Sequence, residues 1–168
     1  MQNIGIFYGS STGNTEDAAK QIQKALGADT AQIFDVTKAN SRDLKQFNNI
    51  ILGASTWGLG NIQNDFEDFI SEIDSINLKG KKVAIFGFGD QDTYADTFVD
   101  AIGQIYDATI KNGCEIVGKI AIDNYEYDES RAEIDGQFVG LALDEENQSD
   151  LTTPRIEKWI NQLKNEFI

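Results

Sequence analysis

Short apolar runs alternate with stretches patterned as amphipathic helices, and that alternation constrains the fold of this chain more than any other feature. The runs are IGIFY (4–8), a weaker segment around Ile33, Phe34 and Val36, IILGA (50–54), KKVAIFGFG (81–89) and EIVGKIAI (115–122). Between them, NTEDAAKQIQKAL places Ala18, Ile22, Ala25 and Leu26 on one helical face, and Gly27 stops it. SRDLKQF reads as a short helix; Phe66, Phe69, Ile70 and Ile73 recur at helical spacing, as do Phe98, Ile102, Ile105 and Tyr106. A last helix, TTPRIEKWINQLKNEF, has Thr153 to cap it, Pro154 at its first position, and Ile156, Trp159, Ile160 and Leu163 facing inward. Such alternation builds βαβ units on a parallel sheet. The predicted fold is α/β, a three-layer doubly wound sheet of five parallel strands in the order 2-1-3-4-5.

The 168 residues suffice for one domain spanning 1–168, with no internal repeat. One stretch breaks the rhythm. The residues after EIVGKIAI are too many for a connection, so an insertion at about 120–142 interrupts the fifth strand, which QFVGLAL could resume.

Composition excludes several chemistries. There is no histidine, which removes Ser-His-Asp and Cys-His catalysis and histidine metal sites. Cys114 is the only cysteine; it lies among apolar residues and reads as a small buried hydrophobe. With 28 acidic and 14 basic residues the net charge is −14, which disfavours nucleic acid and anionic membranes and favours basic partners, although acidity also serves solubility. Without a basic leader followed by an apolar core, or a run of 18 apolar residues, the expected location is the cytoplasm.

In an open parallel sheet, ligands sit beyond the carboxyl ends of the strands. Three glycine-rich loops leave such ends: GSSTGNT (9–15), STWGLGN (55–61) and GFGDQDTY (87–94). In the first, backbone amides converge on a helix N-terminus, Ser10, Ser11, Thr12 and Thr15 add hydroxyls, and Gly13 permits a tight fold around an anion. The same residues also suit a plain helix cap. The loop lacks the lysine of a nucleoside-triphosphate loop and the G-x-G-x-x-G of a dinucleotide site, so a single terminal phosphate held by neutral donors fits it best. Ser55 and Thr56 stand where a phosphoacceptor domain needs aspartate. Trp57 and Tyr94 read as plates around a flat ring or as surface anchors. Gly58, Gly60, Gly87 and Gly89 let backbone approach that ring, and Asp90 is placed to accept from a ring N–H or to cap the following helix.

GSSTGNT, STWGLG, GFGDQDTYAD and GQFVGLALDEENQSDL, in this order and spacing along essentially the whole chain, resemble the long-chain flavodoxins. The resemblance implies a flavodoxin-like fold with one non-covalent FMN, and a low-potential one-electron carrier passing through oxidised, neutral semiquinone and hydroquinone states. It implies a phosphate site at Ser10, Ser11, Thr12, Gly13, Asn14 and Thr15. The ring site it implies lies among Ser55, Thr56, Trp57, Gly58, Leu59, Gly60, Gly87, Phe88, Gly89, Asp90 and Tyr94. Gly58 stands where many relatives carry asparagine, and Phe88 where a small polar residue is frequent; both bear on redox potentials. Expected partners are basic-faced redox proteins such as flavodoxin/ferredoxin reductases and low-potential oxidoreductases, met by a monomer. The acidic helix NDFEDFISEID offers Asp65, Glu67, Asp68 and Glu72 for docking, or simply a solvated face. Two rival readings on the same residues are an FMN-dependent quinone or nitro reductase and a non-redox module that binds a monophosphate.

Overall fold

The computed structural model describes residues 3–168; the first two residues of the expected 1–168 unit lie outside the described residues. In chain order the elements are β1 (Ile4–Gly9), α1 (Asn14–Leu26), β2 (Ala31–Asp35), α2 (Ser41–Lys45), β3 (Asn49–Trp57), β4 (Asn61–Ile62), α3 (Asn64–Asp74), β5 (Lys82–Phe88), α4 (Asp100–Ile110), β6 (Glu115–Ile116), β7 (Ile120–Ala121), β8 (Glu133–Ile134), β9 (Gln137–Phe138), β10 (Leu141–Leu143) and α5 (Thr152–Glu166).

The central sheet runs β2-β1-β3-β5-β10, with these pairings all parallel. This is the predicted order, with β10 as the fifth position. Every residue of β1 is buried, because helices cover both faces, and successive side chains feed opposite layers. Ile4, Ile6 and Tyr8 join Ile22, Ile156, Trp159 and Leu163 beneath α1 and α5. Phe7 joins Phe66, Phe69, Ile102 and Ile105 beneath α3 and α4. Burying each such large side chain contributes roughly 1.5–3 kcal/mol. Gly53 has no freedom to be anything else: a Cβ there would lie 2.0 Å from the Phe86 ring, which fills the space over the strand.

The fifth strand is split. β6 pairs with Lys82 and Val83 at the start of β5, the chain leaves, and β10 returns to pair with Phe86, Gly87 and Phe88. Residues 120–122 therefore do not continue the main sheet; Ile120 and Ala121 pair with β9 in a small antiparallel sheet of β7, β9 and β8. Tyr125, Tyr127 and Phe138 from this excursion gather around Phe98, with ring centroids 5.5–5.9 Å from it. Phe98 is consequently not a helical residue: the chain makes a single turn at Ala95–Thr97 and α4 starts only at Asp100. The start of α5 also differs from expectation. Helix begins at Thr152, so Pro154 is its third residue, and neither Thr153 nor Leu151 supplies a side-chain cap; the Thr153 hydroxyl donates to Gln21 Oε1 instead. Among the described residues no helix is long and apolar enough to cross a membrane. Cys114 is buried, and that burial pushes its thiol pKa up, as suits an inert core residue.

Candidate functional site

Register brings the three loops to one edge of the sheet. Gly9 lies beside Ala54, Ala54 beside Gly87, Ser55 beside Phe88, and Phe88 beside Leu143, so the loops after β1, β3 and β5 leave from one level.

The first loop is shaped by its own residues. Gly13 precedes α1 with φ 101, in left-handed space, and open solvent surrounds the position a Cβ would take. Its N–H donates to Ser10 Oγ at 3.1 Å. The first amide of α1 to find a backbone acceptor is that of Asp17, bonded to Gly13 O. Among the described residues, the N–H groups of Ser11, Thr12, Asn14, Thr15 and Glu16 donate to no protein acceptor. Thr15 is buried and shares a 2.7 Å hydrogen bond with Ser55 Oγ, which pins the start of α1 to the end of β3.

A residue that sequence reasoning passed over closes this corner. Gln63 is 1% exposed; its Oε1 accepts from Phe66 N and so caps α3, while its Nε2 donates to Ser11 Oγ at 3.1 Å and Asp65 Oδ2 at 2.8 Å. The legible signal was a glutamine directly before an apolar-periodic helix.

The second loop is the turn of a hairpin. Trp57 pairs with Asn61 across Gly58, Leu59 and Gly60, with φ 51 at Gly58 and 97 at Gly60. Trp57 is 40% exposed and Leu59 85%, so neither is core. The Thr56 hydroxyl accepts from Ala101 N at 3.0 Å, capping α4, whose own preceding residue Val99 has no side chain to do so. Gly60 O accepts from Gln104 Nε2 at 2.7 Å.

The third loop holds Asp90 and Tyr94, the latter also 40% exposed. Asp90 Oδ1 accepts from Asp92 N, Thr93 N and Asn147 Nδ2, so the carboxylate organises its own turn. Burial raises the Asp90 pKa, but the Thr93, Asn147 and Asp92 hydrogen bonds outweigh it and leave the carboxyl below its ordinary range.

Several predicted positions serve the fold. Phe88 is the last residue of β5, buried with Tyr8 and Leu143 in the layer under α1 and α5, so its side chain does not face the loops. A Cβ on Gly87 would come 2.6 Å from Ala54 O, and one on Gly89 2.8 Å from Val99 N; their small size admits neighbouring backbone of this same chain. On α3, Glu72 accepts from Ser41 N at 2.8 Å and is spent at the start of α2, whereas Glu67 and Asp68 are exposed.

The edge thus offers an anion cradle of neutral donors on one side and two exposed aromatics on the other. Known proteins share the whole frame. The family profile described as Flavodoxin matches residues 6–159. A flavodoxin from Nostoc sp. is 46% identical over 166 residues, 99% of this chain and 98% of that protein. Flavodoxin 1 of Escherichia coli is 45% identical over 168 residues, 99% of this chain and 96% of its own. Among solved structures, Fusobacterium nucleatum flavodoxin bound to flavin mononucleotide superposes with TM-score 0.94 at 34% identity, covering all of both chains.

Proposed function

The chain belongs to the flavodoxin family, and from that premise we propose that it is a low-potential one-electron carrier binding one non-covalent FMN at these three loops. The observation that carries the reading is the set of amides at residues 11, 12, 14, 15 and 16 that find no protein acceptor among the described residues, beside the Ser10 and Thr12 hydroxyls at the positive end of α1. Such donors match a phosphate dianion and need no lysine.

In this reading Ser10, Ser11, Thr12, Gly13, Asn14 and Thr15 hold the phosphate, with Ser55 and Gln63 bracing them. Trp57 and Tyr94 face the ring, backbone of residues 58–60 and 89–90 meets its edge, and the Asp90 carboxylate is left to accept from it. FMN held by these residues would accept and pass on electrons one at a time. The chain sets the potential. With net charge −14 and no cation in residues 9–15, added negative charge on the ring is disfavoured, so the second electron requires a strong reductant.

Exposed Glu67 and Asp68, with Asp65 next to the phosphate loop, supply the face for basic redox partners of the flavodoxin/ferredoxin reductase type and for low-potential oxidoreductases. The reading extends to a cytoplasmic monomer.

A visible spectrum of the purified protein during stepwise dithionite reduction tests it. Two flavin bands giving way to a long-wavelength half-reduced form are expected. Direct bleaching would indicate a two-electron flavoenzyme, and absence of flavin after added FMN would leave a module for another monophosphate.

A further inference from the structure

A network outside the first two loops governs the third. Asp144, at the end of β10, is 0% exposed and has no cationic partner among the described residues. Its Oδ2 accepts from Gln91 N at 3.0 Å, Gln91 Nε2 at 2.8 Å and Asn147 Nδ2 at 2.9 Å, and its Oδ1 from Asn147 N at 3.0 Å. A buried carboxylate held only by neutral donors requires nearly all of them. Gln91 carries the link onward, accepting from Glu126 N at 2.6 Å and donating to Gln148 Oε1 at 2.9 Å.

Asn147 is the joint. Its Nδ2 donates to Asp144 Oδ2 and, also at 2.9 Å, to Asp90 Oδ1. Both partners are carboxylates, which only accept, so the amide nitrogen has to point at them, one hydrogen to each. Two negative charges are thereby held within two hydrogen-bond lengths of each other, and without the amide they repel. Because Asp90 Oδ1 also receives Thr93 N, and Asp90 O receives Tyr94 N, the position of Asp90 sets that of Tyr94.

We infer that Asn147 is a positioning residue for the ring half of the cofactor site: by bridging Asp90 to the buried Asp144 it sets where the Asp90–Tyr94 turn stands, and it leaves the phosphate half untouched. The cofactor part of this inference rests on the FMN reading above. Asn147 is exposed, so its replacement opens no cavity. Apoprotein with Asn147→Leu and Asn147→Gln would be titrated with FMN, riboflavin and inorganic phosphate. The leucine variant is expected to lose about tenfold in affinity for FMN and for riboflavin alike, the loss of roughly one charge-assisted hydrogen bond. Phosphate affinity should not change, and the glutamine variant, which keeps the amide, should recover much of the loss. Equal weakening of FMN, riboflavin and phosphate, or no weakening, would overturn the inference.

Amide hydrogen exchange at Thr93 and Tyr94 in the apoprotein provides a readout that needs no cofactor. Faster exchange in the leucine variant supports the positioning role even if wild-type protein were to bind no flavin, an outcome that would sink the FMN reading alone. Unchanged exchange would overturn the positioning role itself.

Discussion

The two halves of the proposed site, one for the phosphate and one for the ring, are built in different ways. Residues 10–15 form a cradle from consecutive positions: a left-handed glycine, a helix start and amides with no protein acceptor among the described residues. The ring half depends on residues far away in the chain. Thr56 is tied to Ala101, Gly60 to Gln104, Asp90 to Asn147, and Gln91 to Asp144 and Glu126. The cradle's donors come from neighbouring residues and are only braced from outside by Ser55 and Gln63, so its effects should be confined to the anion. A loop held by long-range hydrogen bonds, some of them to buried groups such as Asp144, couples ligand geometry to the stability of the whole fold.

The largest expected effect separates the halves outright. Thr12→Asp puts a carboxylate among the cradle's amides, and at about 5 Å each unit of phosphate charge adds roughly 3 kcal/mol of repulsion at an effective dielectric of 20. FMN affinity should fall more than about 100-fold while riboflavin affinity changes little; parallel losses for both ligands would show that the halves are not separable. Next, Asp144→Ala strands the Gln91 and Asn147 donors and should cost about 3 kcal/mol of apoprotein stability in urea. A loss no greater than that from Thr12→Asp would mean that the long-range tie does not bear on stability.

Gly58→Ala probes the hairpin turn. A Cβ there meets no atom within 4 Å, so the cost is that of a left-handed alanine, about 1 kcal/mol, read as a lower urea midpoint. Gly58 has φ 51, in the left-handed space that glycine occupies at little cost. If reduction leans further on it, the first potential should drop by up to about 40 mV, which is that same energy for one electron; an unchanged potential would confine Gly58 to stability.

The smallest effects concern pH, and two carboxylates of the ring half should slope in opposite directions. Asp90 has a folded pKa below its unfolded one, so its contribution is present above about pH 4 and is lost as pH falls through the depressed value. Asp90→Asn should flatten that acid limb. Asp100 is buried at the start of α4, and burial raises its pKa against the opposing Arg131 N–H and charge, with Glu129 raising it further. Its ionised form is therefore unfavourable in the fold, increasingly so as pH rises from the ordinary carboxylate value through the raised one. Asp100→Asn keeps an acceptor for Arg131 N and should raise the urea midpoint at pH 7 but not at acid pH. Identical pH profiles for the two variants would remove the distinction.

How legible each part was follows from where its cause lies. The strand order, the two helix layers and the anion loop were readable because their signals are local: period-2 and period-3.6 apolar spacing, and hydroxyls with a glycine at a strand-to-helix turn. The split of the fifth strand was visible as excess length, but its exit after Ile116 and return at Leu141 were not, since pairing partners are chosen by the sheet edge. Phe88 looked like a loop residue because glycines flank it; parallel pairing with Leu143 carried the strand one step further and turned its ring into the core. Gln63 was legible only as a helix cap, and Gln91 and Asn147 had no signal in one sequence, because an amide becomes important only when distant partners arrive beside it.

By itself the sequence determined the sheet, its covering helices and a glycine-and-hydroxyl loop at a helix start, through spacing that acts within a few residues. Only the tertiary structure decided that Asp144 lies buried, that Asn147 stands between two carboxylates, and that Glu72 is taken up by α2. Those outcomes depend on which groups lose water together, and desolvation belongs to the packed molecule rather than to any segment of it.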